Sequence, residues 1–403
     1  MKILVINTGS SSIKYKLFDM DHCKMLAGGV AEKIGEKNGI LTHKTVLDNG
    51  NLTKKVEKGL IPDHYKGLNR IVDLLVDPEY GVIADKSDIS AVGHRVVHGG
   101  AMLHSTTIID QVVIAAIKKN IPLAPLHNPS NLVGIEIAES IFPDVPQVAV
   151  FDTSFHQTIP GYAHLYAIPY EIYERHKIRR YGFHGISHAY VSEQAAEYMG
   201  RLLTELDLIT VHIGNGASMT AIKNGRSVDT TMGMTPLAGL VMGTRSGDID
   251  PALPSYMADY LGMSMQELSS LLNKESGLKG LCGTNDMREV IEKMEKGDKL
   301  ATLAISIYTY RIKKYIGAYF AVLGGVDAII FTAGVGEHAP LIRERSCQGL
   351  KRLGIEIDAA KNNAPGSGIR EISTADSEVK ILVVPTNEAL KIARETKRAI
   401  EGV

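Results

Sequence analysis

The chain has 403 residues, too many for one hydrophobic core and enough for two domains, and its 44% apolar and 22% charged content excludes a disordered chain. Its 44 Lys and Arg balance 45 Asp and Glu, so no net field gathers nucleic acid or an anionic membrane, and a small-molecule partner is expected. Cys23, Cys282 and Cys347 match no metal or redox spacing, and no apolar run suits a leader or a bilayer span, which predicts a cytoplasmic protein with idle thiols.

In chain order, MKILVINTGSSSIKYKLFDM predicts a β-hairpin: a strand at 3–6, a polar turn holding Gly9 and three serines, and an alternating strand at 13–18. Strand-like runs follow at 91–94 and 147–151. The basic stretch of Arg175, His176, Lys177, Arg179 and Arg180 is expected to be mostly a solvated face. An amphipathic helix is predicted over 189–199. LDLITVHIGNGASMTAIKNGRSVDT then repeats the opening plan, with strands at 208–213 and 218–222 around a turn at 212–216. A third glycine turn, 334–337, ends a buried strand at 328–331, and a strand at 381–384 leads into a helix starting near Asn387. Strand and helix alternate in both halves, so the class is α/β. The boundary is placed just after Asp152, giving an N-terminal lobe of 1–152 joined by the C-terminal helix 386–403, and a second lobe of 153–385.

Glycine-rich turns after strands hold anions, because glycine lets backbone N–H groups approach phosphate oxygens. Three such turns, two at matching places, favour a bound nucleotide, with Lys14 adding charge beyond the first. No Walker A pattern, protein-kinase glycine loop, HExxH or nucleophile elbow is present. Phosphoryl transfer needs charge neutralisation more than a base, so its marks are cationic side chains near metal ligands. Arg95 and His98 stand in GHRVVHGG after a strand; His127 precedes Asn128 and Pro129, expected as N-cap and N1 of a helix. Asp152 follows the strand QVAVF, at the edge where open α/β sheets place ligands, and Ser187 is expected to cap the helix after His184 in YGFHGISH. Arg245 lies between glycines in GTRSG. Each also has a plain structural role open to it: a backbone-bonded histidine, a surface ion pair, a capping aspartate. Glu388 is either a helix-dipole carboxylate or a magnesium-site group.

The series NTGSSSIK, HRVVHGG, PLHNPSN, FDTSFH, YGFHGISH, HIGNGAS, MGTRSGD and PTNEAL, in that order from Asn7 to Glu388, resembles the acetate kinase family. The resemblance implies the superfamily of actin, sugar kinases and chaperone ATPases: two ribonuclease H-like lobes (duplicated βββαβαβα), a nucleotide cleft, and a homodimer. It implies reversible transfer of the γ-phosphoryl group of ATP to acetate, giving acetyl phosphate and ADP, with propionate or another short-chain carboxylate as the alternative acceptor. Asn7 and Glu388 fall on the family's Mg²⁺ (or Mn²⁺) residues, Arg95 and Arg245 on its substrate and phosphoryl clamps, and His184 on its transition-state stabiliser. Asp152 falls on its catalytic carboxylate and His127 on a further active-site imidazole. Lys14, His212, Ile213, Gly214, Asn215, Gly216, Asp286, Met287, Arg288, Gly334, Val335, Gly336, Glu337 and His338 fall on its nucleotide-binding segments. Val97, Leu126, Phe183 and Pro236 match its pocket for the acetate methyl, and propionate kinases tend to carry a smaller residue where Val97 stands. One departure concerns the adenosine loop, which reads GVGEH where the family usually has GIGEN. His338 thus replaces an asparagine, which bears on the choice between adenine and guanine.

Overall fold

The alternating apolar residues of the N-terminus pair as β1 (Lys2–Gly9) and β2 (Ser12–Asp19), antiparallel, with Asn7 opposite Lys14. The computed structural model describes residues 1–47 and 50–402. The chain divides into two units, Met1–Ser154 with Asn387–Val403, and Phe155–Thr386.

In the first unit the hairpin is extended by β3 (Lys24–Glu32), β4 (Ile40–Val46) and β5 (Leu52–Lys58) on one side. On the other stand β6 (Ile89–Val96), β7 (Thr107–Ile108) and β8 (Gln147–Phe151). The order is β5-β4-β3-β2-β1-β6-β8-β7, with β1, β6 and β8 mutually parallel. Every residue of β8 is buried because the parallel strands lie under helices, among them Asn128–Ile141 and Glu388–Glu401. At the edge, β5 alternates exposed and half-buried residues and carries Lys54, Lys55 and Lys58, charges that discourage pairing with another chain.

The second unit repeats this arrangement with β9 (Asp207–Ile213), β10 (Ala217–Lys223), β11 (Arg226–Thr230), β12 (Ala328–Thr332), β13 (Arg370–Glu371) and β14 (Lys380–Val383). Its order is β11-β10-β9-β12-β14-β13, with β9, β12 and β14 parallel. Both sheets therefore contain three antiparallel strands followed by two parallel ones, β3-β2-β1-β6-β8 matching β11-β10-β9-β12-β14. This is the duplicated α/β plan expected from the sequence.

Three local expectations are corrected and a fourth is refined. The glycine segment 334–337 is not a turn but part of the helix Ala333–His338, which begins directly after β12. The chain reverses at Ala333, held in the left-handed region at φ 63°, and Gly336 lets the helix lie close to β9, since a Cβ there would stand 3.2 Å from Ile213 Cγ1. The helix Asn128–Ile141 starts one residue earlier than expected, with His127 at N-cap. Asn128 is drawn away from capping by the main chain of His98, accepting from its N–H (3.1 Å) and donating to its carbonyl (3.0 Å). Ser187 is the third residue of the helix Gly185–Met199, whose N-cap is His184 at φ 56°. The basic stretch is mostly solvated, as expected, with Arg175, His176 and Lys177 exposed. Arg180, however, donates to the carbonyls of Thr230, Thr231 and Met232, and Arg179 is buried over the Tyr181 ring, because carbonyls beyond the end of β11 need donors.

Candidate active site

In the first unit the ends of parallel strands bring Arg95 and Asp152 together. Arg95 is the penultimate residue of β6 and Asp152 follows β8, its N–H bonded to the carbonyl of Val96. The guanidinium grips the carboxylate with a two-pronged fork, Nε to Oδ1 at 3.2 Å and Nη2 to Oδ2 at 2.6 Å. Asp152 is 1% exposed and Arg95 20%. Burial alone would lower the Arg95 pKa, yet the carboxylates of Asp152 and Glu388 outweigh it and raise it above its usual value. Burial likewise pushes the Asp152 carboxyl up, against the pull of Arg95, while Glu388 adds to the rise and His127 opposes it. Two donors on two oxygens favour the ionised acid, so the pair holds one charge of each sign.

The surrounding backbone is fixed by two asparagines of the 128–141 helix. Asn131 accepts from the N–H of Val97 and donates to the carbonyl of Thr8, tying the end of β6 to the end of β1, where Asn7 stands. Val97 is buried, whereas Leu126 is 53% exposed. His98 is buried; its Nδ1 accepts from the N–H of Gly100, and burial lowers its pKa to about 4.

In the second unit three expected residues meet at the turn between β9 and β10. A Cβ built on Gly216 would lie 3.4 Å from Nε2 of His184 and 3.7 Å from Nη1 of Arg245. Nδ1 of His184 bonds Ser218 Oγ at 2.9 Å, and the ring stacks on that of His212 with centroids 4.2 Å apart. His212 Nδ1 bonds Ser187 Oγ (2.8 Å), which bonds Thr386 Oγ1 (2.8 Å). His184 adopts a left-handed conformation unusual for a residue with a side chain, a cost of order 1 kcal/mol or more that surrounding contacts must offset.

Arg245 has a different environment from Arg95. Its Nη1 donates to the carbonyl of Pro236 at 3.3 Å and contacts Met242 Sδ at 3.9 Å, and among the described residues no carboxylate lies within ion-pair distance. Burial alone lowers its pKa. Its loop is held from behind: the N–H groups of Ser276, Leu278 and Lys279 donate to the carbonyls of Thr244, Met242 and Gly243. This requires glycine at 277, where φ is 61° and a Cβ would stand 2.2 Å from the Met242 carbonyl oxygen and 2.7 Å from that of Arg245.

The remaining expected nucleotide residues lie in the same unit, apart from Lys14, which projects exposed from β2. Asn215 Oδ1 accepts from Asn285 beside Gly243, and Gly214 N–H bonds the carbonyl of Gly216, which shapes the tip following Ile213. Asp286 caps the helix Met287–Glu295 and is forked by Arg288, which is 91% exposed. Gly334, Val335 and Gly336 run along the 333–338 helix; Glu337 accepts from the N–H of Thr386, and His338 is 80% exposed. Phe183 is buried and Pro236 partly so. Reasoning from sequence missed Ser218, His188, Asn131 and Gly277. Only His188 left a signal, its four-residue spacing from His184.

A family model described as the acetokinase family matches residues 2–394. The acetate kinase of Thermotoga petrophila is 55% identical over 406 residues and that of Oleidesulfovibrio alaskensis 51% over 402, each alignment covering 100% of both chains. Among solved structures, the acetate kinase of Porphyromonas gingivalis superposes with a TM-score of 0.92 at 44% identity over 99% of each chain. A propionate kinase from Francisella tularensis subsp. tularensis gives 0.91 at 44%, over 98% of this chain and 99% of that one. With likeness running end to end in sequence and in coordinates, the chain belongs to the acetokinase family, kinases whose phosphoryl acceptor is a carboxylate.

Proposed function

We propose that the chain transfers the γ-phosphoryl group of ATP reversibly to acetate, giving acetyl phosphate and ADP. The observation that carries this reading is Arg245: a half-buried guanidinium beside His184 and the 213–216 tip, bonded to a carbonyl and a sulfur, is suited to an anion that the protein does not supply. A γ-phosphoryl group is such an anion. Arg245 neutralises its equatorial oxygens and His184 donates a hydrogen bond to them as charge builds in a loose transition state, and the amide groups of the 213–216 tip follow the phosphates. Acetate is already ionised at neutral pH and needs no general base. Arg95 makes its charge tolerable beside a polyanion, with Asp152 holding the guanidinium in place and His127 nearby in charge. Whether Asp152 acts further, as an acid/base group or as a phosphoryl carrier, is decided by stereochemistry at a chiral γ-phosphorus: inversion for one direct transfer, retention for a covalent step.

In this reading the nucleotide is served by His212 to Gly216, Asp286 to Arg288 and Gly334 to His338 of 153–385, with Lys14 contributing from 1–152, the lobe that the C-terminal helix joins. A magnesium ion suits Asn7 and Glu388, a neutral and an anionic oxygen donor; such ions take one or two carboxylates and complete their shell with phosphates and water. When bound, the ion neutralises β- and γ-phosphate charge. Val97, Leu126, Phe183 and Pro236 are assigned to the acceptor's methyl, with adenine as the base despite His338, and the enzyme works as a cytoplasmic homodimer.

Trapping the acyl phosphate with hydroxylamine tests the reading. Acetate should give the highest kcat/KM, with propionate lower by about 10- to 200-fold, the worth of one methylene in an apolar pocket. ATP hydrolysis that ignores acetate and yields no hydroxamate would overturn it.

A further inference from the structure

The second unit buries a set of histidines beyond those the reaction uses. His188, one helical turn after His184, is fully buried, and burial with the neighbouring His156 and His212 holds its pKa well below the ordinary imidazole value, so it is neutral. Its Nε2 bonds Ser218 Oγ at 2.7 Å and its Nδ1 bonds Thr210 Oγ1 at 2.7 Å. The same Ser218 oxygen bonds Nδ1 of His184 at 2.9 Å. One buried hydroxyl therefore stands between two imidazoles, and it has a single proton to give.

The consequence is a constraint on tautomers. If His188 carries its proton on Nε2, it donates to Ser218, whose own proton is then free for Nδ1 of His184, which leaves a neutral His184 with its proton on Nε2. If His188 carries its proton on Nδ1, facing Thr210, the chain reverses and His184 is protonated on Nδ1. Ser218 cannot donate to both rings, so at least one of them must donate to its oxygen.

We propose that Ser218 is a positioning residue, coupling His184 to the buried His188 so that the edge of His184 facing Gly216 and Arg245 presents one fixed protonation state. The inference rests on the reading of His184 as a group acting on the transferred phosphoryl. A ring free to exchange tautomers would offer the correct edge only part of the time, and a ring without a partner at Nδ1 could also turn about χ2.

The test is the variant Ser218→Ala, alone and combined with His184→Asn, in the full-length chain. Ser218→Ala should lower kcat about 10- to 100-fold, the usual scale for removing the partner that orients an active-site imidazole, with KM for ATP and for acetate unchanged. In the His184→Asn background it should lower kcat no further. Wild-type kcat in Ser218→Ala, or an equal loss in both backgrounds, overturns the coupling. Near-normal kcat in His184→Asn alone would instead remove the role of His184 itself. Imidazole ¹⁵N shifts of the unmutated protein provide a second reading that needs no variant to fold: one tautomer of neutral His184 is expected, and an averaged mixture overturns the proposal.

Discussion

Two half-buried arginines, one in each unit, are held in opposite ways. Arg95 is forked onto a buried carboxylate, with Glu388 close enough to strengthen its charge. Arg245 has only a carbonyl and a thioether, and burial works against its charge. The first is a completed ion pair, the second an incomplete one. The contrast separates a residue placed by the fold from one placed for a ligand, since a guanidinium kept from water without a counter-ion costs stability unless something else is gained.

The sharpest way to break this contrast is turnover. Arg245→Ala should lower kcat by about 10³ to 10⁵, the scale of a charge-neutralising arginine in phosphoryl transfer, and change KM for ATP little. Steady-state kinetics with near-normal kcat would show that the lone cation has another purpose. Stability sharpens it from the other side. Arg95→Ala leaves Asp152 buried without its partner and should cost about 3 to 5 kcal/mol in urea unfolding. Arg245→Met, which removes an unbalanced charge, should leave stability within about 0.5 kcal/mol or raise it. Equal losses would erase the distinction.

Acid gives a smaller effect that the units should share. His94 and His98 in the first and His156 in the second are each lowered by burial to about 4, from an ordinary value of 6.5. A folded-state pKa below the unfolded one means the unfolded chain takes up protons first. Their contribution is therefore complete above about pH 6.5 and lost as pH falls towards 4, up to about 3 kcal/mol for each imidazole. Urea midpoints should fall between pH 7 and pH 5, and a flat profile over that range would sink the argument. The smallest effect compares the two hairpin tips. Gly216→Ala puts a methyl 3.4 Å from His184 and should lower kcat/KM about tenfold, since small displacements of reacting groups are costly. Gly9→Ala meets only the movable Ser12 hydroxyl, at 3.1 Å, and should change it about twofold or less.

The fold was legible where periodicity reports it. Both hairpins and the strand Gln147–Phe151 follow from alternation or continuous apolar runs bounded by turn residues, and the duplicated strand order follows from the repeated hairpin. Helix starts were read less well, because capping is decided by tertiary competition: Asn128 has the chemistry of a cap, but the main chain of His98 claims its amide. The glycines of GVGEH suggest a turn, yet the left-handed residue is Ala333, a choice no propensity favours. Within the candidate site, the charged and imidazole groups drew notice by type and by position at strand ends. Ser218 did not, since a serine in a strand carries no signal until two rings are seen on its oxygen. Nor did Gly277, whose necessity arises from the backbone of Met242 and Arg245, 35 and 32 residues earlier in sequence.

That last glycine has an implication for how turnover can be adjusted. A side chain at 277 would press on the backbone of Met242 and Arg245 together, displacing the guanidinium while every charged group remains in the chain. Position 277 is thus a dial on the rate that is invisible to any inventory of reactive groups. Drift there would yield a protein that still looks fully equipped and turns over slowly.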